Sequence, residues 1–268
     1  MHRGMTILAY GESGAGKSSF AVTSPYPRLL LDVESGYRFL PINAKMWDPM
    51  REEPPIADGT WDTCVVIVHD YQTVLRVYEW LRSGKHHFKS LIIDSISELQ
   101  DRLLVQLAGE EQVKMQQWGE VLRKMGGLLR NIRDLTTHPT TPLEAIVLTA
   151  MAKMDKDGVY HPYLQGQLAV QAPYLYDILG AIAVERFAHP DPTQPAYDAR
   201  RMYIQRTPKY EAKERVQGRL GQIVEQDSLN VEIMLDRVFG PRVVAQPYQE
   251  APQEAPQEVP VQNATPTE

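Results

Sequence analysis

Residues 11–18 read Gly-Glu-Ser-Gly-Ala-Gly-Lys-Ser, a complete match to G-x-x-x-x-G-K-[ST]. No other stretch constrains the fold as tightly. Such a loop works only where a buried strand delivers it and a helix leaves it, because its backbone N–H groups must point inward onto an anion. Both neighbours are present: Met5–Tyr10 (MTILAY) is a short apolar run, and Ser18–Thr23 can open a helix. Gly11, Glu12, Ser13, Gly14, Ala15, Gly16, Lys17, Ser18 and Ser19 are therefore expected to bind the phosphates of a nucleoside triphosphate. The amides of Ser13–Lys17 would cradle the β-phosphate and Lys17 would bridge the β- and γ-phosphates. The Ser18 hydroxyl would ligate Mg²⁺, so ATP and Mg²⁺ are the expected cofactors.

Further apolar runs follow at Arg28–Val33, Thr63–Val68, Ser90–Asp94 and Glu144–Thr149. Continuous runs of this length suit strands buried on both faces, and the segments between them carry helical spacing. Gln72–Leu81, Ile96–Leu107 and Val113–Leu135 are the predicted helices, the last with a kink or break at Gly126-Gly127. Ala181–Phe187 and Arg201–Arg206 read as further strands, with antiparallel pairing one option, and Asp48–Trp61 as a surface loop. The pattern predicts an α/β fold: a mostly parallel central sheet flanked by helices.

A phosphate loop needs a carboxylate at the end of a neighbouring strand. Leu91-Ile-Ile-Asp94 supplies one, and Asp94 would hold the magnesium through water. Its competing role is to cap the helix that begins at Ile96. Hydrolysis also needs a base for the attacking water. Asp32 and Glu34, at the end of the strand that follows the loop's helix, both qualify. Alternation puts them on one face, so spacing alone does not separate them.

In this order, G-E-S-G-A-G-K-S, L-L-D-V-E-S-G and L-I-I-D-S-I-S-E-L resemble the ATPase core of RecA-like recombinases. The run to about Leu220 is similar to the compact RecA-like P-loop ATPases of bacteriophages. Some of those act in single-strand annealing or recombination beside a phage single-stranded DNA-binding protein. The resemblance makes Glu34 the catalytic glutamate and Asp94 the Walker-B acid. Thr149 stands at the γ-phosphate sensor position, where the recombinase has Gln. Lys213 and Arg215, in Y-E-A-K-E-R, take the role of cations acting on a neighbouring subunit's nucleotide. A homo-oligomer is implied; only four residues precede the first strand, without the recombinase's oligomerisation segment, which argues against a filament and leaves a ring or shorter assembly open.

Lys+Arg total 28 against 34 Asp+Glu, a net charge of −6, which excludes a strongly basic nucleic-acid coat but not a local basic patch. Lys153, Lys156, Tyr160 and His161 form the candidate patch for single-stranded DNA, where phosphates meet cations and bases stack on rings. A solvated hairpin turning at Asp155–Gly158 is the plainer reading of the same residues. The basic stretch from Arg200 to Arg215 suits a trans-acting set, a DNA groove, or a charged strand and helix face paired with Glu211 and Glu214. One cysteine, Cys64, allows no internal disulfide, and no apolar run approaches a membrane span. The expected location is the cytoplasm, the host's if the chain is phage-encoded. Residues 246–268 hold five Pro, four Glu and no Lys or Arg. This acidic tail is expected to be disordered, beside one ATPase domain over residues 1–245. Solubilising the chain and docking a partner are its two candidate roles. An assembly module with incidental hydrolysis, and a small-metabolite kinase, are the alternatives to a DNA-dependent ATPase.

Overall fold

Each of the five apolar runs is a strand, because four to six consecutive apolar residues are accommodated only where helices cover both faces of a sheet. The computed structural model describes residues 3–109 and 112–242. Its first half holds β1 (Met5–Gly11), α1 (Lys17–Ala21), β2 (Arg28–Asp32), β3 (Ala44–Met46), β4 (Thr63–Ile67), α2 (Tyr71–Arg82), β5 (Ser90–Asp94) and α3 (Ile96–Ala108). The second half continues with α4 (Met115–Arg133), β6 (Ala145–Met154), β7 (Tyr160–Pro162), α5 (Leu168–Leu175), β8 (Ile178–Phe187), β9 (Tyr197–Tyr203), β10 (Lys213–Glu214), β11 (Ile223–Glu225) and α6 (Val231–Phe239).

The strands form one sheet in the order β11-β9-β8-β1-β6-β5-β2-β4-β3, with β10 on β8 and β7 on β6. From β3 to β8 each neighbouring pair is parallel. The pairs made by β7, β9, β10 and β11 are antiparallel. Alternate residues of the central strands feed two cores. Leu29, Leu31, Leu91, Ile93 and Leu148 pack with α2, α3 and α4, whereas Leu30, Ile92 and Val147 pack with α1 and α6. Val231, Met234, Leu235 and Val238 of α6 are buried in the second core, each contributing roughly 1.5–3 kcal/mol.

Three expectations need correction. Ala181–Phe187 is too short: β8 starts at Ile178, runs parallel to β1 as far as Ala181, and pairs antiparallel with β9 from Ala181 to Phe187. Burial of Ile178–Ala183 places this strand inside the sheet. The antiparallel strand is β9, which ends at Tyr203 and so lies earlier than Arg201–Arg206. Finally, α4 does not break at Gly126-Gly127. Two glycines cost about 1 kcal/mol each in a helix, but Met125, Leu128, Leu129 and Ile132 are buried on one stripe and outweigh that cost. Asp48–Trp61 is irregular, as expected, and is fastened by indole N–H bonds from Trp47 to the Glu52 carbonyl (3.0 Å) and from Trp61 to the Ile56 carbonyl (3.1 Å). The acidic tail, 246–268, lies outside the described residues.

Candidate nucleotide site

Parallel register fixes where the chemistry collects. Asp32 pairs with Asp94, Ile93 with Leu148, and Thr149 with Ala9, so the strand ends of β2, β5, β6 and β1 form one rim. From that rim β1 delivers the loop. Gly14 and Gly16 take left-handed conformations (φ 78° and 92°). The Ala15 N–H bonds the Glu12 carbonyl at 3.2 Å. The N–H groups of Ser13, Gly14, Gly16, Lys17 and Ser18 have no backbone acceptor within the chain among the described residues. A concave set of unpaired amides is an anion cradle. Lys17 folds over it, its ammonium donating to the carbonyls of Gly11 (2.9 Å) and Glu12 (3.0 Å). Burial lowers the Lys17 pKa, while the nearby Asp94 and Glu34 carboxylates oppose that shift.

Asp94 is buried, and the hydroxyl of fully buried Thr149 donates to its Oδ1. Thr149 therefore positions the acid. The peptide between Asp94 and Ser95 is cis. Ser95, not Asp94, caps α3, accepting from the Glu98 N–H at 3.3 Å. That leaves Asp94 free of the capping role. The two acids of β2 also part company. Asp32 is buried and its two oxygens accept from the Gly36 and Tyr37 N–H groups, both at 3.1 Å. It shapes the turn. Glu34 is exposed and receives the Ser95 hydroxyl on Oε1.

Sequence reasoning missed Arg102, which holds this turn in place. Its guanidinium donates to the carbonyls of Val33 (2.6 Å) and Val68 (2.8 Å) and to Glu98 (2.9 Å). The available signal was weak: an arginine one turn after Glu98 reads as a surface pair.

β6 overruns the rim by three residues past Met151, the partner of Gly11, and turns back as β7. Lys156 lies in the turn, and Lys153 sits 5.7 Å from the Tyr163 ring. The Tyr160 hydroxyl donates to Glu12 at 3.3 Å, tying the hairpin to the phosphate loop. His161 is held between Asp155 (2.7 Å) and Glu211 (2.6 Å). Burial disfavours its protonation, but hydrogen bonds to these carboxylates prevail and raise its pKa. A cavity of about 170 Å³ lies between hairpin and loop.

Lys213 and Arg215 do not join this cluster. Lys213 pairs with Leu179, short of the rim, and donates to the Pro173 carbonyl; Arg215 donates to the Tyr174 carbonyl. Burial, with Arg215 nearby, lowers the Lys213 pKa.

The donor set suits a small hard cation. Ser18 and the Asp94 Oδ2 carry no bond to another side chain among the described residues, and oxygen ligands are what magnesium takes. Among those residues no group of three or more His, Cys, Asp or Glu could hold a metal, and a phosphate-bridging magnesium needs no such group.

A parallel sheet that presents a bare-amide loop on one strand and a buried carboxylate two strands away defines a P-loop nucleoside triphosphatase. Residues 3–216 match the family model described as an AAA domain. The chain belongs to that family and carries its nucleotide-binding, ATPase-type domain. No curated protein matches it. Among the described residues no helix is long and apolar enough to cross a membrane.

Proposed function

We propose that the protein is a magnesium-dependent, RecA-like ATPase that acts on single-stranded DNA in phage recombination, annealing or replication. The observation that carries the ATPase reading is the convergence of Lys17, Asp94 and Glu34 on unpaired loop amides. Mg²⁺, held by Ser18 and through water by Asp94, would neutralise charge between the β- and γ-phosphates. Lys17 exchanges its two carbonyl partners for phosphate oxygens. Glu34, oriented by Ser95, polarises the attacking water and takes its proton. The RecA-like assignment rests on the order of the three motifs and on Glu34 following β2.

Support for DNA comes from the hairpin and the loop beside it. The Lys209 ammonium lies 5.9 Å from the Tyr160 ring and 5.2 Å from the Tyr210 ring, the two rings being 5.6 Å apart, while Lys153 stands by the Tyr163 ring and Lys156 lies in the hairpin turn. Cations beside rings are what a single strand requires. The placement of Lys213 and Arg215 away from their own loop favours a homo-oligomer in which they reach a neighbour's nucleotide. It also keeps alive a second reading, an assembly module in which ATP sets an interface. A phage single-stranded DNA-binding protein is the proposed partner.

The test is ATP hydrolysis by wild type and Lys17→Ala, with and without single-stranded DNA, over a salt series. Wild type should turn over faster with DNA, the stimulation fading as salt rises, and the variant should be inactive. An undiminished rate in the variant would sink the ATPase reading. A rate indifferent to DNA, with ATP-dependent oligomerisation, would transfer the reading to the assembly module.

A further inference from the structure

Two consecutive arginines on β9 have opposite surroundings. Arg201 is paired with Glu225 (2.8 Å) and Glu185 (3.5 Å), and its guanidinium lies 4.2 Å from the Phe187 ring centre. Arg200 points to the other face of the strand. It is exposed, and its guanidinium has no carboxylate partner among the described residues. Its backbone is fixed by pairing with Val184 on β8 and by an N–H bond to Gln226 Oε1 at 2.9 Å.

That side chain lies against the phosphate loop. A Cβ built on Gly16 would fall 2.8 Å from Arg200 Nε and 3.0 Å from its Cδ. A permanently charged guanidinium set beside inward-pointing amides has no electrostatic reason to stay there unless an anion satisfies both.

The direction of approach selects the anion. β9 lies on the β8 flank of β1, whereas Asp94 and Glu34 reach the loop from β5 and β2 on the opposite flank. The γ-phosphate belongs on the carboxylate side, so the phosphate nearest Arg200 is the one at the nucleoside end. We infer that Arg200 is a nucleotide-binding residue that grips the α-phosphate of a nucleotide held by its own chain, an inference that rests on the ATPase reading above. A planar fork of N–H donors fits two phosphate oxygens at once.

Calorimetric titration of the full chain with ATP, ADP and inorganic tripolyphosphate tests this, using wild type, Arg200→Ala and Arg200→Lys. Arg200→Ala should weaken all three by about tenfold or more, as loss of a charged hydrogen bond does. Arg200→Lys should recover part of the loss. In turnover, KM should rise by the same factor with kcat nearly unchanged, and thermal unfolding without ligand should match wild type. Unchanged affinity in Arg200→Ala overturns the inference. So does a loss that spares ADP, which would put the guanidinium at the γ end, or a loss in both nucleotides that spares tripolyphosphate, which would put it on the nucleoside. A wild-type chain that binds neither ATP nor ADP removes the ATPase reading itself, an outcome distinct from wild-type binding left intact in Arg200→Ala.

Discussion

Gly11 closes β1 where the neighbouring strand comes nearest, and replacing it with alanine is the sharpest test of how the loop is seated. The added Cβ would lie 2.4 Å from the Ile182 carbonyl oxygen and 3.2 Å from Ala15 Cβ. Comfortable non-bonded separations are roughly 3.5 Å, so β1 and β8 must part by about 1 Å. A displacement of that size takes a ladder bond of roughly 2.9 Å out of hydrogen-bonding range. Overpacking at a rigid backbone atom costs about 1–3 kcal/mol. Each kcal/mol lowers Tm by about 2–4 °C in a chain of this size, so Gly11→Ala should melt several degrees below wild type. Its ATP affinity should fall as well, because the first residue of the cradle has moved. Gly36 is the control. Its φ is −91° and an added Cβ meets nothing within 4 Å, so Gly36→Ala should be neutral or slightly stabilising. Calorimetric melting and nucleotide titration read both effects. A Gly11→Ala chain that melts within a degree of wild type with undiminished affinity would refute the claim that Ile182 dictates the residue at 11.

Glu34→Gln keeps the Ser95 contact within reach but cannot accept a proton; kcat should drop by about 10²–10⁴ with ATP binding retained, seen by single-turnover hydrolysis beside equilibrium binding. His161 has a folded pKa raised above its ordinary 6.5 by Glu211 and Asp155. Its contribution to stability is thus fully present below about 6.5 and lost as pH climbs through the raised value. Wild type should lose more Tm over that window than His161→Gln; equal losses would remove the histidine from the account. Burial pushes the Cys64 thiol up to about 12, so a thiol reagent should label it only on unfolding, and rapid native labelling would contradict its burial.

The phosphate loop and its acid were legible because each is local: a glycine pattern after one apolar run, an aspartate at the end of another. The choice between Asp32 and Glu34 was not local. It depends on the Gly36 and Tyr37 amides turning back onto Asp32, which a periodicity of two residues does not encode. Arg102 was hidden, and Arg200 was legible only as part of a basic stretch, for a related reason: their neighbours at Val33, Val68 and Gly16 are brought close only by the sheet order. Short elements escaped because their pairing, not their composition, makes them strands: β3 and β7 hold three residues each and lean on longer neighbours. In α5 an internal Pro173 masks the helix, and α6 spans only nine residues, whose four buried positions take their meaning from the sheet they pack on. The glycine pair in α4 misled in the opposite direction, a local cost overridden by a buried stripe.

The overrun of β6 has a mechanical consequence. Up to Met151 the strand is clamped by β1 and, to Leu148, by β5, and a strand so held shifts only by whole registers, which would turn its buried face outward. Beyond Met151 its described ladder partner is β7 alone. The overhang is a cantilever roughly 10 Å long, at about 3.3 Å per residue, with its root three positions from the threonine that holds Asp94. Its companion strand β7 is not loose, because Tyr160 is bonded to Glu12 and Tyr10 and His161 to Glu211. The stretch that carries Lys156 is thus joined at its base, through both strands, to the loop and the acid of the nucleotide site.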